Sequence, residues 1–350
     1  MRIVITGATG NVGTSVVRAL STDERVTEIV GVARRLPDWA PPRTQWISKD
    51  VERDDLRAVF AGADVVIHLA WLIQPSRDAS ELERVNVDGS RRVFEAAAEL
   101  GVPRLVHASS IGVYSRGPKD RAVDESWPRN GVETSFYARH KAAAERALDV
   151  VESDAPGLRA VRLRPGLIFK REAGPEVRRL FGGPLVPAFL VRPALVPVLP
   201  LPPGLVLQAV HGDDVAEAYR LAALSPDAAD AYNIAAEPTL DPAELARVFR
   251  ARVLPVRAGA LRALADLTWR ARLQPTPAGW LDMGLGVPVM DTRRAREQLG
   301  WTPRHSATSA LEELLAGMRE PAGLPTPPLT PRAGGPFRLG ELLTGVGRRI

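Results

Sequence analysis

The 350-residue sequence contains no cysteine. Disulfides, thiolate metal sites and cysteine nucleophiles are therefore excluded, and the absence fits a reducing compartment. Lysine is scarce: Lys49, Lys119, Lys141 and Lys170 are the only four, so the 46 basic residues are almost all arginine. Set against 41 acidic residues, they leave a net charge of +5. A basic protein can bind nucleic acid or anionic lipid. Here the arginines are scattered among acids, as in Glu81-Leu82-Glu83-Arg84, with no basic run interleaved with aromatics. No nucleic-acid partner is expected. An unbroken apolar run of membrane-spanning length is also missing. Residues 184–207 are apolar but interrupted by Pro187, Pro193, Pro197, Pro200, Pro202 and Pro203. Prolines at this density prevent a continuous helix, and irregular backbone cannot face lipid, so a pocket wall or apolar flap is expected instead of a span. Met1-Arg2-Ile3-Val4-Ile5-Thr6-Gly7 enters a strand at once and leaves no room for a signal peptide, so a cytoplasmic location is expected.

What is present is an ordinary globular composition, 45% hydrophobic and 25% charged, long enough for one large domain or two lobes. Residues 1–165 alternate short apolar runs (2–6, 28–33, 65–69, 104–109 and 159–164) with amphipathic stretches (12–20, 81–100 and 137–151). This succession predicts an α/β fold, a doubly wound parallel-sheet Rossmann domain whose strands are buried on both faces. About 206–235 are expected to complete that domain. Residues 166–205 and 236–320 are expected to form a smaller, mostly helical substrate lobe, with helices at 242–253, 258–273 and 291–299. Residues 321–350 read as an extended Pro/Gly-rich tail, with 338–350 able to form a short docking helix.

The chemistry begins at Gly7-Ala8-Thr9-Gly10-Asn11-Val12-Gly13, between the first strand and the first helix. Gly7 permits the tight turn, Gly10 lets the backbone approach a pyrophosphate, and Gly13 lets the helix pack close to the strand. The helix N-terminus adds positive potential. Such a turn in this position indicates a bound dinucleotide. The second strand ends Val32-Ala33-Arg34-Arg35, with no carboxylate to accept the ribose 2′-hydroxyl. Two guanidiniums suit a 2′-phosphate, so NADP is favoured over NAD.

Two later segments carry reactive groups: His107-Ala108-Ser109-Ser110-Ile111-Gly112-Val113-Tyr114 at a strand end, and Tyr137-Ala138-Arg139-His140-Lys141 opening a helix. Tyr137 and Lys141, four apart, share a helical face. With the glycine turn, these segments resemble the extended short-chain dehydrogenase/reductase family, the NAD-dependent epimerases and dehydratases. Asp50-Val51 resembles its adenine-contacting pair, and His68-Leu69-Ala70, followed by Trp71, its strand beneath the cofactor. Asn86-Val87-Asp88-Gly89 resembles its mid-helix asparagine segment. Arg164-Pro165-Gly166, His211-Gly212-Asp213-Asp214-Val215 and Leu299-Gly300-Trp301-Thr302-Pro303 follow in the family's order, so the resemblance covers roughly residues 1–310.

The resemblance implies a catalytic set of Ser110, Tyr137 and Lys141. Tyr137 would exchange a proton with the substrate oxygen, Lys141 would stabilise its phenolate and hold the nicotinamide ribose, and Ser110 would orient the carbonyl. Bringing a phenol from a pKa of about 10 toward neutrality takes about 4 kcal/mol. The cofactor set is Gly7, Thr9, Gly10, Asn11, Val12, Gly13, Ala33, Arg34, Arg35, Asp50, Val51, Leu69, Ala70, Trp71, Asn86, Ser109, Tyr137, Lys141 and Pro165. No metal is expected. Dehydratases of the family carry an Asp-Glu pair where Ile111-Gly112 stand, which argues against dehydration. Its nucleotide-sugar enzymes usually place an arginine just before the segment matching 210–215, where this chain has Gly204-Leu205-Val206-Leu207-Gln208. Arg178, Arg179 and Arg192 are the candidates to replace it. Outside the set, His107 reads as strand packing, His140 as exposed, Asp213 and Asp214 as a helix cap, and Glu145 and Glu152 as solvated.

The expected function is an NAD(P)-dependent oxidoreductase or epimerase moving hydride to or from a secondary alcohol or ketone. The alternatives are a reductase of a less polar ketone or hydroxy compound, a non-catalytic NAD(P)-sensing regulator, and a membrane-surface protein using 184–207 and the tail. The partner is a small-molecule substrate; a homodimer stays open.

Overall fold

The computed structural model describes residues 1–73, 79–182, 196–320 and 322–330. The strands begin with β1 (Arg2–Thr6), β2 (Glu28–Ala33), β3 (Thr44–Ser48), β4 (Val65–His68), β5 (Arg104–Ala108), β6 (Ala122–Val123) and β7 (Arg159–Pro165). They continue with β8 (Leu167–Phe169), β9 (Val198–Leu201), β10 (Leu207–His211), β11 (Asp230–Ile234), β12 (Ala236–Leu240), β13 (Arg252–Pro255) and β14 (Val289–Met290). The first helices are α1 (Asn11–Ser21), α2 (Arg57–Phe60), α3 (Ala79–Glu83), α4 (Gly89–Glu99), α5 (Phe136–Asp154) and α6 (Gly174–Val177). After them come α7 (Gly212–Leu224), α8 (Pro242–Phe249), α9 (Ala258–Arg270), α10 (Gly279–Gly286), α11 (Arg293–Leu299) and α12 (Ala307–Arg319).

One seven-stranded parallel sheet, in the order β11-β7-β5-β4-β1-β2-β3, forms the body. Alternating side chains serve opposite faces. Ile3 and Ile5 of β1 pack with Val16, Val17 and Leu20 of α1 and Val215 and Tyr219 of α7. Val4 packs with Phe60 of α2, Phe94 of α4 and Leu148 of α5. The chain starts at β1, runs outward to β3 and returns to β4 on the other side of β1. Successive connections therefore diverge at the β1/β4 boundary and open a crevice at the strands' carboxyl ends. The doubly wound expectation holds.

Several boundaries differ from the sequence reading. The edge strand β3 was not anticipated, because Thr44–Ser48 is half-exposed and carries little apolar patterning. Trp46 of that strand fills the space above Gly31, where a Cβ would lie 2.4 Å from its ring. The helix expected over 81–100 is α3, then a π-helical turn at Arg84–Asp88, then α4. The helix expected over 242–253 stops at Phe249, where Arg250 turns left-handed (φ 52°), and β13 follows. The smaller lobe is thus not only helical: α12 covers a three-stranded sheet, β12-β10-β8. Residues 322–330 of the tail fold back, burying Thr326 and Leu329, and Pro325 accepts a hydrogen bond from the Asp38 amide at 3.1 Å. The docking helix expected at 338–350 and residues 184–195 of the proline-rich wall lie outside the described residues.

The strand ends around α5 are locked by a buried ionic network. Glu145, read as solvated, is fully buried. Its carboxylate accepts from Nε and Nη2 of Arg164 at 2.9 and 2.8 Å, from Ser109 Oγ at 2.5 Å and from Arg129 Nη1 at 3.0 Å. Arg164, at the end of β7, also donates to the Tyr114 hydroxyl and to the Glu125 carbonyl, both at 2.9 Å. The Tyr114 hydroxyl donates to Asn233 Oδ1 on β11 at 2.6 Å. Glu152 is likewise paired, to Arg162 at 2.8 Å. Burial alone would raise the Glu145 pKa, but Arg164, Ser109 and Arg129 outweigh it and hold the carboxyl at about 2, below its ordinary 4.5.

The Glu145 contribution is complete above pH 4.5 and is lost as pH falls toward 2. Removing one partner of a buried pair costs about 3–5 kcal/mol. Glu145→Gln is therefore expected to lower unfolding stability at pH 7 by about 3 kcal/mol in a denaturant titration. The wild-type loss of stability between pH 4.5 and 2 should shrink in that variant, and equal acid sensitivity would contradict the assignment.

Candidate active site

The crevice begins at the glycine turn. Gly7 has φ +71°, and a Cβ there would lie 2.6 Å from the Ala70 amide nitrogen. At Gly13 a Cβ would meet the Gly7 carbonyl at 2.4 Å, so α1 packs on the turn only through glycine. Gly10 differs: a Cβ there meets no protein atom nearer than 3.4 Å, and the space above it lies open to a ligand. No side chain caps α1 and no acid occupies its first turn, so the amides and dipole of its N-terminus suit an anion. These features fit the diphosphate of a dinucleotide.

Along the crevice, Ala33 is buried while Arg34 and Arg35 are exposed at the end of β2. Asp50 Oδ1 accepts from the Glu52 amide at 3.1 Å, and Val51 packs against Gly89. At the end of β4, the Leu69 amide donates to the Thr6 carbonyl at 3.0 Å. The fully buried Asn86 clasps Leu72, accepting from its amide at 2.7 Å and donating to its carbonyl at 2.9 Å. Asn86 thus fixes the path of Leu69-Ala70-Trp71. Beneath them, Ser90 Oγ donates to the Asn86 carbonyl, so His68 Nε2–H donates to Ser90 and Nδ1 accepts from Thr6. Burial pushes His68 down to about 3, so it stays neutral. His107 stacks on it at 5.7 Å, as expected of strand packing. Pro165 closes β7 beside Ile234.

Ser109 and Ser110 leave β5 in opposite directions. Ser109 turns to Glu145, whereas Ser110 Oγ accepts from the Gly112 amide at 3.0 Å, and Gly112 abuts the Tyr137 ring. Ser135 Oγ caps α5 by accepting from the Ala138 amide, which sets Tyr137 in the first turn. Burial pushes the Tyr137 phenol up to about 12, and the nearby Ser110 side chain partly offsets it. One turn on, Lys141 is 3% exposed. Its ammonium donates to the Ala108 carbonyl at 2.7 Å and sits 3.4 Å above the Trp71 ring centre. Burial lowers the Lys141 pKa well below its ordinary value, against the opposing pull of Glu145. The structure therefore brings Ser110, Tyr137, Lys141 and Trp71 together.

The far side of Tyr137 is aromatic. Trp280 of α10 lies 5.0 Å from its ring, with Phe181 and Phe136 edge-on to that indole at 5.1 and 6.0 Å. Met283 closes on Gly112, where a Cβ would sit 3.2 Å from its sulfur. Trp280 carried no sequence signal, because its helix is placed against α5 only by the tertiary fold. Gly279 allows the approach: a Cβ there would lie 2.3 Å from the Thr134 carbonyl.

Other expectations need correction. His140 is buried, not exposed, and packs on Phe136. The cap of α7 is His211, whose Nδ1 accepts from the Asp213 amide at 3.2 Å. Asp213 instead accepts from Ser15 Oγ, and Asp214 from the Arg304 and His305 amides. Gln208 is bound to both backbone groups of Met290. Arg178 donates to the Met318 carbonyl at 3.0 Å, and Arg179 lies in the π-helical turn Arg178–Gly182. Arg192 is outside the described residues.

The chain is similar to known proteins. An uncharacterised protein of Mycobacterium tuberculosis is 28% identical over 327 residues, 93% of this chain but 31% of that protein. The chain thus spans about a third of the length of that relative. A 3-diazoavenalumate denitrifying reductase of a Streptomyces species is 28% identical, with 87% of this chain and 97% of that protein aligned. Among solved structures, MoeE5 in complex with UDP-glucuronic acid and NAD superposes with a TM-score of 0.67 at 23% identity, covering 91% of this chain and 99% of that one. The family model for the NAD dependent epimerase/dehydratase family matches residues 3–235, the stretch holding the glycine turn, Ser110, Tyr137 and Lys141. The chain belongs to that family.

Proposed function

We propose that the protein is an NAD(P)-dependent oxidoreductase acting on a secondary alcohol or ketone carried by a predominantly apolar, ring-bearing substrate. The observation that carries this reading is the Tyr137 phenol, whose ring abuts Gly112 beside Ser110, one turn from the buried Lys141 and faced by Trp280. A nicotinamide, when bound, supplies or accepts the hydride. Ser110 and Tyr137 hold the substrate oxygen. In reduction Tyr137 gives it the phenolic proton, and in oxidation the phenolate removes the hydroxyl proton. Lys141 favours the phenolate through its charge. The aromatic wall of Trp280, Phe181 and Phe136 with Met283 excludes water and offers stacking surface, chemistry suited to a ring and not to a charged diphosphate. The similarity to a protein named as a reductase favours exchange of cofactor with solution over its retention for epimerisation.

Arg34 and Arg35, exposed where the adenosine ribose would lie, support NADP over NAD. Replacing Arg35 with Ser is expected to reduce the NADP-over-NAD preference in kcat/KM by about tenfold, a change of ~1.4 kcal/mol. An unchanged ratio would remove Arg35 from the site.

Tyr137→Phe should lower turnover by about 10²–10⁴-fold while nicotinamide binding, followed by fluorescence, persists. Because burial holds the free phenol up to about 12, oxidation needs its rarer deprotonated form and should accelerate as pH rises from 7 to 9. Reduction uses the protonated form and should not accelerate over the same range. A variant with full turnover would refute the assignment.

A further inference from the structure

Lys170 is a buried cation that the hydride chemistry does not use. It follows β8, is 1% exposed, and its stem fills the space over Gly212, where a Cβ would lie 3.0 Å from its Cδ. Its ammonium donates to the Asn11 carbonyl at 2.6 Å, Thr14 Oγ1 at 2.8 Å and Ser15 Oγ at 3.3 Å. All three oxygens belong to the first turns of α1. Thr14 Oγ1 in turn donates to the Gly10 or Asn11 carbonyl, at 3.1 and 3.2 Å. The oxygens of the turn are thereby drawn inward toward Lys170, and its amides are left to face outward.

The placement is electrostatically unfavourable by itself. A helix N-terminus carries positive potential and repels a cation, and burial removes the hydration that an ammonium needs. Nearby acids are engaged elsewhere. Glu172 pairs with Arg18 at 3.3 Å, and Asp213 accepts from Ser15 Oγ at 2.9 Å. Among the described residues, no carboxylate forms an ion pair with Lys170. Glu176, half-buried on the same connection, is pushed up to about 7 by desolvation, and burial moves Lys170 down to about 8. A buried positive charge behind an anion-binding turn is compensated when an anion occupies the turn.

We infer that Lys170 is a positioning residue of the dinucleotide site: it holds the first turn of α1 with its amides outward and supplies a fixed positive charge to the ligand's diphosphate. This rests on the reading that the turn Gly7–Gly13 binds a dinucleotide. The charge acts from beneath the helix without touching the ligand, so its effect should follow ligand charge and not ligand shape.

The test uses the full chain, with Lys170→Met, close in length and apolar, and Lys170→Gln, neutral but still able to donate a hydrogen bond. The probes are NADH, whose charge lies on its diphosphate, and adenosine, which has none. NADH binding is read by energy transfer from tryptophan to nicotinamide, and adenosine binding by calorimetry. Each variant is expected to raise the Kd for NADH about tenfold, or ~1.4 kcal/mol, and to leave the adenosine Kd within about twofold. An unchanged NADH Kd, or equal losses for NADH and adenosine, would overturn the inference in favour of a purely structural lysine. If only the Gln variant folds, it decides alone. Failure of the wild-type chain to bind NADH would instead overturn the dinucleotide reading beneath it.

Discussion

Burying a carboxylate away from water costs several kcal/mol, and the attraction of its partners offsets this only when geometry and hydrogen bonding are nearly complete. Glu145 meets that condition with the paired donors of Arg164, the hydroxyl of Ser109 and one donor of Arg129. These groups come from the ends of β5 and β7 and from the loop before α5, so one carboxylate fixes three separate segments. Tyr137, Lys141 and Glu145 recur every four residues on α5 and share a face. Fixing Glu145 therefore sets the rotation of the helix about its axis and aims the other two side chains at the crevice. The Ser110 hydroxyl is placed by the same constraint, because Ser109 beside it is anchored and the strand sends adjacent side chains to opposite sides.

The ionisable groups above this anchor are tuned in a consistent direction. Burial raises the Tyr137 phenol and lowers Lys141, His68 and His107, so each is driven toward its neutral form. Such an environment stores little charge when empty and responds strongly to charge brought by a ligand, because the surroundings screen poorly. A positive nicotinamide ring, when bound, would favour the Tyr137 phenolate. Trp71, with its ring face on the Lys141 ammonium and its edge toward Tyr137, shields both from solvent.

How much of this was legible in the sequence follows from what each residue's local pattern can signal. Strands β1, β2, β4, β5 and β7 were readable because both faces are buried and their apolar runs are continuous. Strand β3 has one half-exposed face, and β11 begins at a left-handed Asp230, so neither shows that pattern. The glycine turn and the Ser110, Tyr137 and Lys141 set were legible because each depends on short-range spacing. Glu145 was misjudged because a carboxylate at helical spacing from a lysine is equally typical of a solvated face. Only Arg164, nineteen residues later, makes it a core residue. Asp213 and Asp214 stand where a helix cap is common, yet His211 beside them accepts the amide and frees both for long-range contacts.

The substrate side obeys a different logic, which explains why the family motifs stop short of it. Gln208 bridges to the Met290 backbone through both ends of its amide, so this position stitches β10 to β14. The wall opposite Tyr137 comes from α10, whose approach depends on Gly279, where a Cβ would lie 2.3 Å from the Thr134 carbonyl ahead of α5. The wall meets the dinucleotide domain through Trp280 on Phe136 and Tyr137 and through Met283 at Gly112, apart from the Glu145 network. A change in Trp280, Phe181 or Met283 can alter what reaches the Tyr137 hydroxyl without disturbing Glu145 or the strand ends. That separation is how a single fold comes to serve substrates of unrelated chemistry.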